Sequence, residues 1–223
     1  MLSNIRHFLS DKLITHGWQF PVRLLVVFQK MFSSYSHMSQ EGQDKLIHDI
    51  LENKRNGTFV ELGASNGVTS SNSYVLENKY GWTGLCIEAN KRFFKELIKN
   101  RNCKMVNSLV SDSEKELLFN NDGATGMVGD NGEPMQAQPL AQIMRENDMP
   151  AVVDYLSLDV EGHEETVLYN FPFDEFKFKV MTIERPSDRL HEKLLSSGYE
   201  LHLVIKPKGN WLDNVYTHSE FIK

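Results

Sequence analysis

The sequence predicts an α/β fold, with a mostly parallel sheet covered by helices on both faces and closed by an antiparallel hairpin. Three observations carry this. Extended apolar runs and amphipathic stretches alternate from residue 58 onward. The apolar runs do not alternate polar with apolar, so they suit strands buried on both faces, as in a parallel sheet between helix layers. The last two extended runs are joined by Pro207-Lys208-Gly209-Asn210 rather than by a helix, which reads as a hairpin.

Taken in order, residues 1–38 read as an N-terminal helical extension and 39–223 as one globular domain, long enough for a single core. Ile5, Phe8, Leu9, Leu13 and Ile14 recur at helical spacing. This helix is expected to pack on the domain, with peripheral attachment to a membrane or a partner protein as the alternative. The run Leu24 to Phe28 is flanked by Arg23 and Lys30 and falls short of the roughly 20 apolar residues of a membrane span. No signal-peptide cleavage site follows it. SQEGQD, residues 39–44, leads into a helix with Leu46, Ile47, Ile50 and Leu51 on one face, stopped by Asn56-Gly57.

Strands are then expected near 58–62, 83–88, 104–110, 153–159 and 178–184, with the hairpin at 199–205 and 211–218. Helices are expected near 68–79, 91–100, 139–147, 162–170 and 187–197. Residues 121–138, glycine-rich and poor in apolar side chains, read as a long loop, either disordered or a functional lid.

Composition narrows the function. The formal charge is −6, which argues against a duplex-binding face and so against a nucleic-acid partner. Cys86 lies in an apolar run and Cys103 is the only other cysteine, so reduced thiols and a cytoplasmic setting are expected.

The most informative stretch is FVELGASNGVTSS, residues 59–71. A strand runs into a small-residue loop, where an open α/β sheet places its ligand. The spacing from Gly63 to Gly67 is G-x-x-x-G, which fits neither a P-loop nor a dinucleotide fingerprint. Glu61 precedes the first glycine, and a carboxylate there repels a pyrophosphate but suits a ligand carrying an ammonium. S-adenosylmethionine (AdoMet) has an ammonium, a sulfonium and a carboxylate. Its carboxylate suits the loop and the helix N-terminus that follows, and Glu61 suits its cationic side. Glu88 ends the second strand, where an acid accepts two hydrogen bonds from a ribose diol, or else caps the helix from Asn90. A third strand delivers Asp159, Glu161 and His163 in quick succession. Gly162 turns the chain there and no other acid or imidazole cluster completes a site, so no metal is expected.

VELGASNG, CIEAN, LSLDVEGHEETVL and MTIERP, in that order, resemble the FkbM-type methyltransferases, and SQEGQD resembles a segment of some relatives. The resemblance spans residues 39–186. It implies the Rossmann-like class I methyltransferase fold, seven strands with an antiparallel C-terminal hairpin, and AdoMet-dependent O-methylation of polyketide or sugar hydroxyls. By position it implies that Glu61, Gly63 and Gly67 line the methionine end, Glu88 takes the ribose, Asn107 and Ser108 contact adenine, and Asp159 sits beside the reacting methyl. A hydroxyl acceptor must lose a proton, so a base is needed at that end. Asp159, His163 and Glu184 are the candidates, Glu184 serving otherwise to orient the acceptor or cap the next helix. The acceptor is then a small molecule or glycan. Two alternatives stand beside this: a non-catalytic binding or scaffold protein on the same fold, and a nicotinamide-dependent oxidoreductase, against which Glu61 and the glycine spacing count. Oligomeric state is left open.

Overall fold

The computed structural model describes residues 39, 41–120, 126–205 and 213–222. The expected N-terminal helices and the turn of the C-terminal hairpin lie outside the described residues.

The first helix, α1 (Gln43–Ile50), precedes strand β1 (Thr58–Leu62). Then come α2 (Tyr74–Tyr80), β2 (Thr83–Ile87), α3 (Lys91–Asn100) and β3 (Lys104–Val106). Four short strands follow: β4 (Leu109–Ser111), β5 (Lys115–Asn120), β6 (Met127–Val128) and β7 (Glu133–Pro139). The chain continues through α4 (Leu140–Glu146), β8 (Val152–Leu158), α5 (Glu164–Leu168), β9 (Lys177–Glu184) and α6 (Asp188–Ser196). It closes with β10 (Tyr199–Ile205) and β11 (Asp213–His218).

Seven strands form the main sheet in the order β10-β11-β9-β8-β1-β2-β3. The pairs from β3 to β9 are parallel, and β11 lies antiparallel between β9 and β10. This is the expected sheet and hairpin. Strand parity divides the core into two layers. Val60 and Leu62 of β1 pack with Leu85, Ile87, Ile143, Leu168 and Leu190 on one face. Phe59 packs with Cys86, Ile47, Leu76, Trp82 and Leu97 on the other. Fully burying each such side chain contributes ~1.5–3 kcal/mol, so the two-sided apolar strands are what hold the layers on the sheet.

Three expectations need correction. The run 104–110 is not one strand: β3 ends at Val106 in the main sheet, and β4 starts a separate four-stranded sheet, β4-β7-β5-β6. Much of the stretch 121–138 belongs to that second sheet, since β7 pairs along β5 from Lys115↔Ala137 to Phe119↔Glu133. Glu133 to Gln138 hides a strand because it has no β-branched or aromatic side chain and includes Pro134. The apolar content comes from Leu109, Phe119 and Ala137, which form a small core of their own with Ala89 beside it. The third correction is the helix expected over 68–79, which starts only at Tyr74. The preceding polar residues are taken up locally: the Asn66 side chain accepts from Val68 N and Thr69 N, and Ser71 and Ser73 donate to Glu61.

At the opposite end of the sheet from its ligand edge, Asp154 is buried and accepts from Lys54 Nζ at 2.6 Å and from Thr58 N at 2.9 Å. Lys179 Nζ stands 2.9 Å from it. These donors offset burial and hold its carboxyl below the usual carboxylate range. Among the described residues no helix is long and apolar enough to cross a membrane.

Candidate cofactor and acceptor site

Register builds the site. Leu62 pairs with Ile87 on one side and Leu158 on the other; Ile87 pairs with Val106, and Leu158 with Ile183. The next residue on each strand is therefore, across the sheet, Asn107, Glu88, Gly63, Asp159 and Glu184, and Glu184 pairs with Asp213 of β11. One row along the carboxyl edge of the sheet thus gathers most of the residues singled out from sequence.

Gly63 has φ +74 and Gly67 φ +78, a backbone region that favours glycine. Gly63 N and Ala64 N both donate to Ile87 O, at 3.1 and 3.2 Å, so the loop bends back over β2. Ser65 N then donates to Glu88 Oε2 at 2.7 Å, and Asn90 N to Glu88 Oε1 at 2.7 Å. Glu88 is buried and its pKa is raised, by burial above all, against those hydrogen bonds. Each of its oxygens has accepted one backbone donor and keeps a further lone pair, so the carboxyl both braces α3 and retains acceptors for a diol. Asn107 Nδ2 donates to the carbonyls of Glu88 and Ala89, at 2.7 and 3.0 Å, and Ser108 Oγ bonds Leu109 O and Gln138 Oε1. These side chains shape the turns beside Glu88 rather than project freely.

Glu61 is placed differently from the expectation. It shares strand parity with Phe59 and so points beneath the sheet, toward α2 and α3. Its carboxylate accepts from Ser71 Oγ, Ser73 Oγ (2.6 Å), Asn72 N (2.7 Å) and Arg101 Nη1 (3.3 Å). A carboxylate so surrounded holds the loop from behind and is not presented to a ligand's ammonium.

At the other end of the row, the carboxyls of Asp159 and Glu184 come together, with Glu161 close by. Burial first, then the Glu184 and Glu161 carboxylates, push Asp159 well above the usual carboxylate range. Glu184 is also raised, chiefly by burial, with Arg185 opposing. Arg185 Nη2 donates to Glu161 at 2.9 Å and to Glu184 at 2.7 Å. Two carboxyls this close share a proton and titrate as a pair. Oxygens of Asp159, Glu161 and Glu184 lie within 4.8 Å of one another. The sequence argument that no other cluster completes a metal site beside Asp159 and Glu161 is corrected in one respect, because β9 brings Glu184, a base candidate from sequence, into the same group.

Glu161 and Gly162 turn the chain at φ +53 and +94. Glu164 holds that turn, accepting from Val160 N at 3.1 Å and Gly162 N at 3.2 Å. His163 is the cap residue of α5. Its pKa is lowered by burial first and then by Lys115, with Asp112 opposing. The structure leaves His163 out of the row. Its Nε2 is buried without a hydrogen-bond partner among the described residues.

Sequence reasoning missed Arg101, Arg185 and Asp213. Arg185 follows the last strand residue of MTIERP and was within reach of that motif; the other two carried no local signal. A cavity of about 260 Å³ lined by Asp112, Glu165, Thr166, Tyr169, Asn170 and Arg189 lies between α5, α6 and the β4–β5 turn, away from the row. A much smaller hollow, lined in part by Ala89, Phe119 and Met135, adjoins Glu88.

The strand order, the hairpin and the ligand loop at the end of β1 define a Rossmann-like class I methyltransferase fold. Two solved structures agree in fold. Precorrin-6y C5,15-methyltransferase from Geobacter metallireducens superposes with TM-score 0.50 at 14% identity, covering 83% of this chain and 91% of that one. The METTL16 methyltransferase domain gives TM-score 0.54 at 13% identity, covering 88% and 79%. The family model of the methyltransferase FkbM domain matches residues 61–201. The chain belongs to that family. No curated protein matches it significantly.

Proposed function

We propose that the chain transfers a methyl group from AdoMet to a hydroxyl of a polar acceptor, a glycan or a secondary metabolite. The observation that carries this is the single row Asn107, Glu88, Gly63, Asp159, Glu184 at the carboxyl edge of the sheet.

The residues fit the cofactor. Glu88 keeps free acceptor positions for the ribose hydroxyls, Asn107 and Ser108 shape the turn where adenine would lie, and the backbone of Gly63 to Gly67 borders the methionine end. When bound, AdoMet supplies an electrophilic methyl on its sulfonium. The chain's own task is to hold the acceptor oxygen in line and remove its proton. The Asp159–Glu184 pair is the group placed for that, since a doubly ionised carboxyl pair takes up its first proton with a raised pKa. Arg185 limits how much negative charge accumulates there. His163, which lies outside the row, is not needed for the proton transfer in this reading. The fold does not choose among acceptors, nucleic acid included; the hydroxyl of a polar small molecule or glycan rests on the carboxyl pair and on the family.

Isothermal titration with AdoMet and with S-adenosylhomocysteine is the test. Micromolar binding, weakened at least 100-fold by Glu88→Ala, is expected. Absence of binding to folded protein removes the cofactor and leaves a binding protein on a methyltransferase fold.

A further inference from the structure

Arg101, just past the end of α3, has its side chain fully buried and spends its guanidinium on five hydrogen bonds. Its Nη1 donates to Gly67 O at 3.2 Å, Ser71 Oγ at 3.1 Å and Glu61 at 3.3 Å; Nη2 donates to Ser73 Oγ at 2.8 Å, and Nε to Glu77. The guanidinium sits 5.3 Å from the Phe59 ring centre and 5.8 Å from that of Tyr74. A side chain on Gly67 would stand 2.7 Å from Arg101 Cγ, so the loop is moulded directly against this residue. Four of its five bonded partners, Glu61, Gly67, Ser71 and Ser73, belong to the loop or to its two flanks.

The connection runs on to the ligand edge. Gly67 N closes a turn on Ala64 O at 2.9 Å, and the next residue, Ser65, donates its N–H to Glu88. We propose that Arg101 is a positioning residue for the cofactor loop: it clamps residues 63–73 from beneath the sheet and thereby sets the backbone that faces the ligand and the direction of the Glu88 carboxyl. This rests on the cofactor reading above. It needs a planar fork of donors spanning carboxylate, carbonyl and hydroxyl at once, which an ammonium cannot reproduce.

The test compares Arg101→Lys, Ser71→Ala and, as a stability control on the far face of the sheet, Leu194→Ala. AdoMet affinity, thermal midpoint and amide hydrogen exchange are read for each. Arg101→Lys is expected to weaken AdoMet binding at least tenfold and to lose exchange protection at 63–73 but not in β8 and β9. Ser71→Ala should do the same to a smaller degree, which keeps the test open if the lysine variant is poorly folded. Leu194→Ala should lower the midpoint and leave affinity within twofold. Unchanged affinity and unchanged loop protection in both loop variants would overturn the assignment while leaving the cofactor reading intact. If wild-type protein binds no AdoMet yet Arg101→Lys still releases the loop, the positioning role stands and the cofactor reading falls.

Discussion

The carbonyl oxygen of Asp159 fills the space beside Gly63: a first side-chain carbon on that glycine would stand 1.9 Å from it. The turns leaving β1 and β8 thus touch backbone to backbone, and no larger residue fits between them. Gly63→Ala adds this clash to the penalty of placing a side chain at φ +74. A loss of at least ~3 kcal/mol in urea-unfolding stability is expected, together with loss of AdoMet binding. An alanine variant within 1 kcal/mol of wild type would show that the two turns move apart easily.

Asp159 makes stability fall as pH rises. Its folded-state pKa lies above the unfolded value of about 4, raised by burial and by the neighbouring carboxylates. Between those two values the folded protein holds a proton that the unfolded chain has released, so raising pH favours unfolding. Asp159→Asn is expected to flatten that limb of a midpoint-against-pH profile above pH ~4 and to raise the midpoint at neutral pH by about 2–4 °C for each kcal/mol regained. Methyl transfer should be lost at the same time. A steeper limb in the variant would contradict the shared proton.

Asp154 has the opposite sign. Lys54, Lys179 and Thr58 N hold its carboxyl below the ordinary range, so its contribution is present above pH ~4 and disappears as acid protonates it. Asp154→Ala leaves a buried N–H without its acceptor and should cost about 1–3 kcal/mol at neutral pH, converging with wild type at low pH in acid-unfolding curves. Because Asp154 lies far from the ligand edge, AdoMet affinity of the folded variant should stay within twofold.

Much of the fold was legible because its signals are local. Apolar runs without polar alternation announced β1, β2, β8 and β9, and α3 was read at 91–100, where Asn90 caps it through Arg92 N and Phe93 N. The second sheet was not legible. β7 has no apolar run and carries a proline at its second and last positions, and what makes it a strand is pairing with β5, which no residue of β7 encodes alone. The start of α2 was missed for a related reason: Ser71 and Ser73 look like ordinary helix residues until Glu61 takes their hydroxyls.

By itself the sequence determined which residues lie at strand ends and which loops carry glycine, because periodicity and backbone sterics act over a few neighbours. That was enough for Gly63, Glu88 and Asp159. Only the tertiary structure decided which acids meet. Glu184 reaches Asp159 through the register of β8 on β9, and Glu61 turns to Arg101 because it shares the face of Phe59. Those partnerships join residues 25 and 40 positions apart in the chain. They are set by hydrogen-bond register and helix packing across the whole sheet, which local sequence does not contain.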